Sequence, residues 1–357
     1  MAGELPERNQ SHEIAWPMPV LFEIFIIACG AIMKGLFIPG VTELGASSDS
    51  FPSGIVIPGA NVMTLPPGEW VDLSDIDLTS SALDYRVSFS CASNHAYYSA
   101  DGTIQFAAPD VWPLEYRNGV AVGRHEPEPQ ATNFLPYSND VTKFSKNRGV
   151  TITTSKDLTT PFGDHAQVIT TDGAITAGIN YRIPLTQGVV YCTSLFVHVP
   201  SMSSPSLMIG QGAIGGESVT VDFDQRTSTI GNAFKYGFDD FADGWVRYWF
   251  SGVSSSTTSA IVVYTGAGAK VFSVTGFQVE NTATPGSPII TAGKASTRAA
   301  AFASIQNPDR LATSVRVHFT DATYEDFAFP AHSLKLQLPH ASTNWGKRYI
   351  QRIEYIR

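Results

Sequence analysis

The chain has 357 residues, a net charge of -9, 43% hydrophobic and only 15% charged residues. That length suits two or three domains rather than one, and the apolar fraction is enough for real cores. The low charge, with abundant Ser, Thr, Gly and Pro, argues against helix bundles and disorder, and the acidic balance argues against a nucleic-acid binder, because phosphate recognition needs a basic surface.

Residues 18–38, "MPVLFEIFIIACGAIMKGLFI", form the first feature. The run is strongly apolar and broken only by Glu23 and Lys34. It follows a polar start without a basic cluster, which does not fit a signal peptide. A buried protein–protein contact is the preferred reading, ahead of a membrane-active segment and an ordinary core element, because a bare apolar patch of this size is unfavourable in water. Residues 1–40 are therefore expected to be an attachment or oligomerisation arm, with Phe22, Phe25, Ile26, Ile27 and Leu36 as its docking side chains. A lead-in with short apolar runs such as "GIVIPG" and "GEWVDLSDIDL" continues to residue 130.

From residue 86 the pattern is all-β. Stretches such as "RVSFS", "INYRIPL", "VVYCTSLFVHV", "WVRYWFSGV" and "KVFSVTGFQVE" alternate or are β-branched and aromatic, with turn residues every ten or so positions. That spacing is the β-sandwich or jelly-roll pattern. "YYSADGTIQF" is a hairpin with Asp101-Gly102 at its tip. The stretch "ATNFLPYSND", 131–140, reads as a junction: Phe134, Leu135 and Tyr137 tuck under the first strands, while Asn133 and Ser138 tie the backbone. Residues 301–357, with "SVRVHF", "YEDFAF", "LKLQL" and "RYIQRIEYI", are expected to form a small C-terminal β domain, with 131–300 as the sandwich between.

Three stretches together carry a resemblance. Residues 85–140 resemble a segment recurrent in tailed-phage and prophage virion proteins, matching in order at Phe89, Ser90, Tyr97, Asp101, Gly102, Pro113, Gly123, Glu128, Thr132, Asn133, Leu135, Tyr137 and Ser138. "GFQVENTATPGSPIITAGKASTRAA", 276–300, is similar to the end of the same family's carbohydrate-binding-like jelly roll, and "DGWVRYWFSGV" to one of its strands. Cys91 and Leu114 stand where that pattern has arginines. The resemblance implies a virion structural protein of tail-fibre or head-fibre type, commonly trimeric, located on the particle, joined to other virion proteins through its N-terminal segment and contacting bacterial surface polysaccharide. An architectural neck, hub or tail protein with the sandwich as a spacer is the alternative.

The sequence contains no GxSxG, HExxH or phosphate loop, and a non-enzymatic role is expected. Cys29, Cys91 and Cys192 show no zinc spacing, their odd number leaves at least one thiol free in a monomer, and each reads as a small buried hydrophobe. No cofactor is expected; the acidic turn with Asp239, Asp240 and Asp243 reads as solvated, with a loop calcium ion as the minor option. A glycan site needs aromatic faces with a few polar groups. Alternation in "WVRYWF" puts Val246, Tyr248 and Phe250 on one face and Trp245, Arg247 and Trp249 on the other. Trp249 and Arg247, with Tyr236 and Tyr264, are the candidate glycan residues. Packing of Trp245 at the core edge and of Trp249 on a neighbour is the competing reading.

Overall fold

A computed structural model describes residues 72–357, apart from 175, 217, 218, 232 and 233, as one compact unit. The arm and its residues Phe22, Phe25, Ile26, Ile27 and Leu36 lie outside the described residues, as does Cys29. Among the described residues the chain is all-β, with antiparallel strands joined by turns and short 3-10 helices and no α-helix.

Residues 145–280 build two six-stranded sheets. The first runs in the order Lys235–Asp240, Trp245–Val253, Val190–His198, Val271–Glu280, His165–Thr171, Val150–Thr159; the second in the order Thr227–Ser228, Thr220–Asp222, Ser206–Gln211, Thr258–Tyr264, Gly178–Pro184, Ser145–Asn147. Both contribute to one apolar core. Leu195, Val197, Val246, Tyr248, Phe250, Phe272 and Val274 from the first meet Ile179, Ile183, Leu207, Ile209, Ile261 and Val263 from the second. This is a β-sandwich: alternate residues of each strand point to a shared interior, where apolar area leaves water.

The remaining strands correct the expected domain boundaries. Residues 72–130 and 301–357 do not fold separately. Ile76–Asp77 and Val120–His125 both pair with Tyr349–Ile356, which also pairs with Ser314–Phe319. Val87–Cys91 pairs along its length with Ala301–Gln306. The two segments share one core, in which Ile76, Leu78, Val87 and Trp112 pack with Ile305, Val315, Val317, Ile350 and Ile353. Neither segment has enough apolar surface to bury its face alone, so they complete one another. We call this the terminal body. At its seam Gly123 has φ +125°, and a Cβ there would fall 2.2 Å from the Ile350 carbonyl oxygen, so only glycine allows the two strands to approach.

The terminal body rests on the outer face of the first sheet. Ala96, Tyr98, Ile104 and Trp345 cluster with Ala166, Phe196 and Trp245. Tyr98 and Trp345 stack with centroids 5.2 Å apart, and the Arg117 guanidinium lies 3.7 Å from the Tyr98 ring centre. The hairpin His95–Tyr98 with Ile104–Ala107 forms as expected, with Gly102 at φ +84° in its turn and the Asp101 carboxylate accepting from Ser99 and Thr103.

The junction 131–138 is fastened by side chains. Asn133 Oδ1 accepts from the backbone N–H of Leu135 and Val279, and its Nδ2 donates to the carbonyls of Phe277 and Ile289, all at 3.0–3.1 Å. Ser138 Oγ accepts from Thr291 N–H, and Thr291 Oγ1 accepts from Ser138 N–H, each at 2.9 Å. Leu135 is fully buried in the sandwich core and Phe134 packs against it. Tyr137 instead makes an edge contact with Tyr181.

Candidate functional site

Arg247 and Trp249 do lie opposite the core face of their strand, but that face is covered. Arg247 is 1% exposed, and its guanidinium donates to the Gly286 carbonyl at 2.8 Å and to Ser194 Oγ at 2.9 Å. Trp249 is 9% exposed and lies across Gly237, where a Cβ would meet the indole at 2.7 Å. Trp245 is buried and donates its indole N–H to the Thr159 carbonyl at 3.0 Å. The expected presentation of Arg247 and Trp249 to a glycan is therefore corrected: Arg247 is buried under the 281–287 loop, and Trp249 is folded down against Gly237 of the neighbouring strand. The reason is non-local, because residues distant in sequence cover the strand.

Tyr236 pairs with Phe250 across the ladder, so it shares the core-facing side at the sheet edge, where it is 38% exposed. Tyr264 belongs to the second sheet, on the outward side of its strand, since its neighbour Val263 enters the core. The four candidate residues thus occupy three separate surfaces. The acidic turn is also divided: Asp239 pairs with Lys347 at 2.6 Å and Asp240 with Arg226 at 2.5 Å, while the Asp243 carbonyl faces His198 Nε2 at 2.9 Å. Among the described residues no group of three or more His, Cys, Asp or Glu is placed to hold a metal ion.

A buried charge network crosses from the terminal body into the sandwich. Glu115 accepts from His125 Nδ1 at 2.6 Å. Glu128 is ion-paired with Arg298 at 3.1 Å and accepts from Ser287 N–H at 2.7 Å; Arg298 also donates to Ser287 Oγ at 2.6 Å and to the Pro129 carbonyl at 3.0 Å. Glu280 accepts from Gly286 N–H at 2.7 Å and Gln278 from Ile289 N–H at 2.7 Å. Burial acts to raise the Glu128 carboxyl, but the Arg298 charge, the His125 charge and the Ser287 hydrogen bonds outweigh it and leave it below the ordinary range. Burial raises Glu280 despite Arg298 and Arg247. Burial, reinforced by the His125 charge, pushes His95 down to about 4. Each of these charged side chains is 4% exposed or less. They hold backbone segments together, and the stretches that carry the family resemblance meet here.

The outer face of the second sheet is different. Along Gly178–Pro184, Asn180 and Arg182 point outward beside Val262 and Ala260 of the neighbouring strand. Asn180 Nδ2 donates to Asn147 Oδ1 and Asn147 Nδ2 to the Tyr264 hydroxyl, both at 3.0 Å. This polar stripe ends in a depression of about 370 Å³ whose wall includes Arg182, Gly212, Gly216, Ser256, Thr258 and Ala260. The small Ala260 opposite Arg182 leaves the floor open. The rim is held by Ala213 N–H donating to Ser259 Oγ at 2.9 Å, Ser255 N–H to the Ala213 carbonyl at 3.0 Å, and Ile214 N–H to the Gln211 carbonyl at 2.7 Å. The sequence signal for Arg182 was present in "INYRIPL", whose alternation sends Ile179, Tyr181 and Ile183 inward and Asn180 and Arg182 outward. The depression itself needs the 211–216 loop and the 254–258 turn, which no local pattern brings together.

No protein-family model matches the chain, and no curated protein matches it.

Proposed function

We propose that the chain is a non-enzymatic structural protein of a tailed-phage or prophage particle, of fibre type, located on the virion and contributing to host-surface attachment. The observation that carries this reading is the convergence of the resemblance-bearing residues. Glu128, Asn133, Leu135 and Ser138 from one stretch and Gln278, Glu280, Ser287, Thr291 and Arg298 from the other bond directly or through adjacent backbone groups. Residues resembling a family's signature and serving as the fastening of its fold support membership of that family. The sandwich is read as a jelly roll, supported by the way the chain passes repeatedly between its two sheets from Val150–Thr159 to Val271–Glu280. Residues 1–40 serve as the arm that joins other virion proteins, and the protein works as a homotrimer.

The test is to purify particles of the encoding phage or prophage and search them for peptides of this chain, with and without residues 1–40. Full-length chain should co-purify in fixed stoichiometry with the major structural proteins, and the truncated chain should stay folded and soluble but unincorporated. Absence of the full-length chain from infectious particles overturns the reading. Incorporation of the truncated chain overturns the role of the arm.

A further inference from the structure

We infer that the depression on the outer face of the second sheet binds the carboxylate of an acidic sugar unit, so that the polysaccharide recognised is anionic; this rests on the attachment role proposed above. Arg182 is exposed, and its guanidinium has no hydrogen-bond or ionic partner among the described residues, although the protein carries a net charge of -9. Most other arginines of the described chain are engaged: Arg86, Arg117, Arg124, Arg226, Arg247, Arg298, Arg316, Arg348 and Arg352 all bond carbonyls, carboxylates or other side chains. A planar fork of five donors left unpaired at the wall of a concavity matches a carboxylate bidentately. Arg182 is the one charged side chain among the described lining residues.

The other lining groups suit a sugar. The Thr258 hydroxyl is exposed and makes no hydrogen bond of its own, and Ser256 stands beside it. Gly212 and Gly216 leave backbone accessible for close approach. At about 370 Å³ the space is at the small end of ligand sites, room for a single sugar unit rather than a long chain. The rest of a polysaccharide can lie along the stripe: from Ala260 to Tyr264 is four residues of strand, about 13 Å, past Asn180 and Asn147 to the Tyr264 ring. The site therefore combines one charge anchor, hydroxyl donors and an aromatic surface in line.

The test uses full-length protein titrated with a uronic-acid oligosaccharide, a sialylated oligosaccharide, a phosphate-substituted oligosaccharide and the carboxyl-reduced form of the first. Measurable binding to at least one carboxylated probe is expected, falling about 10–100-fold on carboxyl reduction and by a similar factor in Arg182→Gln, the worth of a charge-assisted bidentate pair. Lys156→Gln, on the far edge of the first sheet, removes the same charge and should leave affinity unchanged. Failure to bind either carboxylated probe, equal binding of the reduced form, or unchanged affinity in Arg182→Gln overturns the assignment. Binding of the phosphate-substituted probe alone also overturns the carboxylate assignment. Incorporation of Arg182→Gln into particles is scored separately: a variant that assembles normally while the binding result is negative leaves the virion reading standing and removes only this site.

Discussion

Replacing Arg298 by Met isolates what the buried network contributes. The Arg298 side chain is 3% exposed and that of Glu128 5%, with 3.1 Å between them. Removing the cation strands Glu128 and also takes away the charge that opposes protonation of Glu280. Breaking a buried pair by removing one partner costs about 3–5 kcal/mol, because the remaining charge is uncompensated. For a chain of this size that is a fall of about 4–7 °C in melting temperature. Urea unfolding at pH 7 should show a lower midpoint with little change in slope. The double variant Arg298→Met/Glu128→Gln should lose less than the sum of the single losses by about 1–3 kcal/mol, since it leaves no lone carboxylate at that position. The penalty should also shrink as pH falls into the carboxylate range, where a protonated Glu128 no longer needs a cation. A single-variant loss under about 1 kcal/mol, or strict additivity in the double variant, refutes the claim that this pair fastens the junction.

Other perturbations probe the same architecture. His95 is depressed to about 4 from an ordinary 6.5, so the unfolded chain binds the extra proton between those values. Stability linked to this group is highest above pH 6.5 and falls by at most roughly 3 kcal/mol as pH drops toward 4; His95→Phe lacks the titration, so the unfolding midpoint of wild type relative to the variant should fall across that window. Glu128 acts in the same direction lower down, its contribution being present above its unfolded value and lost as pH falls through the depressed folded one. Gly237→Ala should cost about 1–3 kcal/mol by pushing the Trp249 ring from its seat, read as a lower melting temperature with altered tryptophan fluorescence; an unchanged melt would show that the indole moves freely. Trp345→Ala removes the ring stacked on Tyr98 and should cost about 3–5 kcal/mol, with faster limited proteolysis of the terminal body than of the sandwich.

The sequence was informative where a signal is local. "YYSADGTIQF" specified its hairpin because the turn residues and the alternation sit within ten positions. In "WVRYWF" the division into Val246, Tyr248 and Phe250 against Trp245, Arg247 and Trp249 is the one the sheet uses. What alternation cannot state is which face meets water. Both faces of this strand are buried, one by the second sheet and the other by Gly237, the 281–287 loop and, a hundred positions on, Trp345, and a strand buried twice reads as nearly continuous hydrophobicity with one arginine in it. Arg247 suggested an exposed site because arginine is rarely buried unless paired; here Ser194 and Gly286 satisfy it, and neither is adjacent in sequence. The terminal body reads as two domains in the sequence for the same reason. Strand patterns in 72–130 and 301–357 were each visible, but their pairing spans more than two hundred residues and leaves no trace in either segment alone.

The two outer faces of the sandwich consequently differ in what covers them. On the first sheet the outer face is an internal surface: Phe196 and Trp245 are covered by the terminal body with its Tyr98–Trp345 stack, Arg247 is tied to Gly286 and Ser194, and Trp249 lies against Gly237, so a ligand could reach them only by displacing packed groups. That displacement would expose several large aromatic side chains, each worth about 1.5–3 kcal/mol of burial, more than the few contacts to a surface sugar return. On the proposed attachment role, the covered face orients rather than binds. Its docking, with the network through Glu128 and Arg298, fixes the sandwich relative to both segments that flank it, and leaves the second sheet turned outward with Arg182 unpaired among the described residues. A polymer on a cell surface has to be met by a face that is open without rearrangement, and in the described chain the stripe from Tyr264 to Arg182 is such a face. If Trp249→Ala weakened glycan binding while Arg182→Gln did not, this division of labour would be the wrong way round, and the terminal body would have to be a movable cover rather than a fixed clamp.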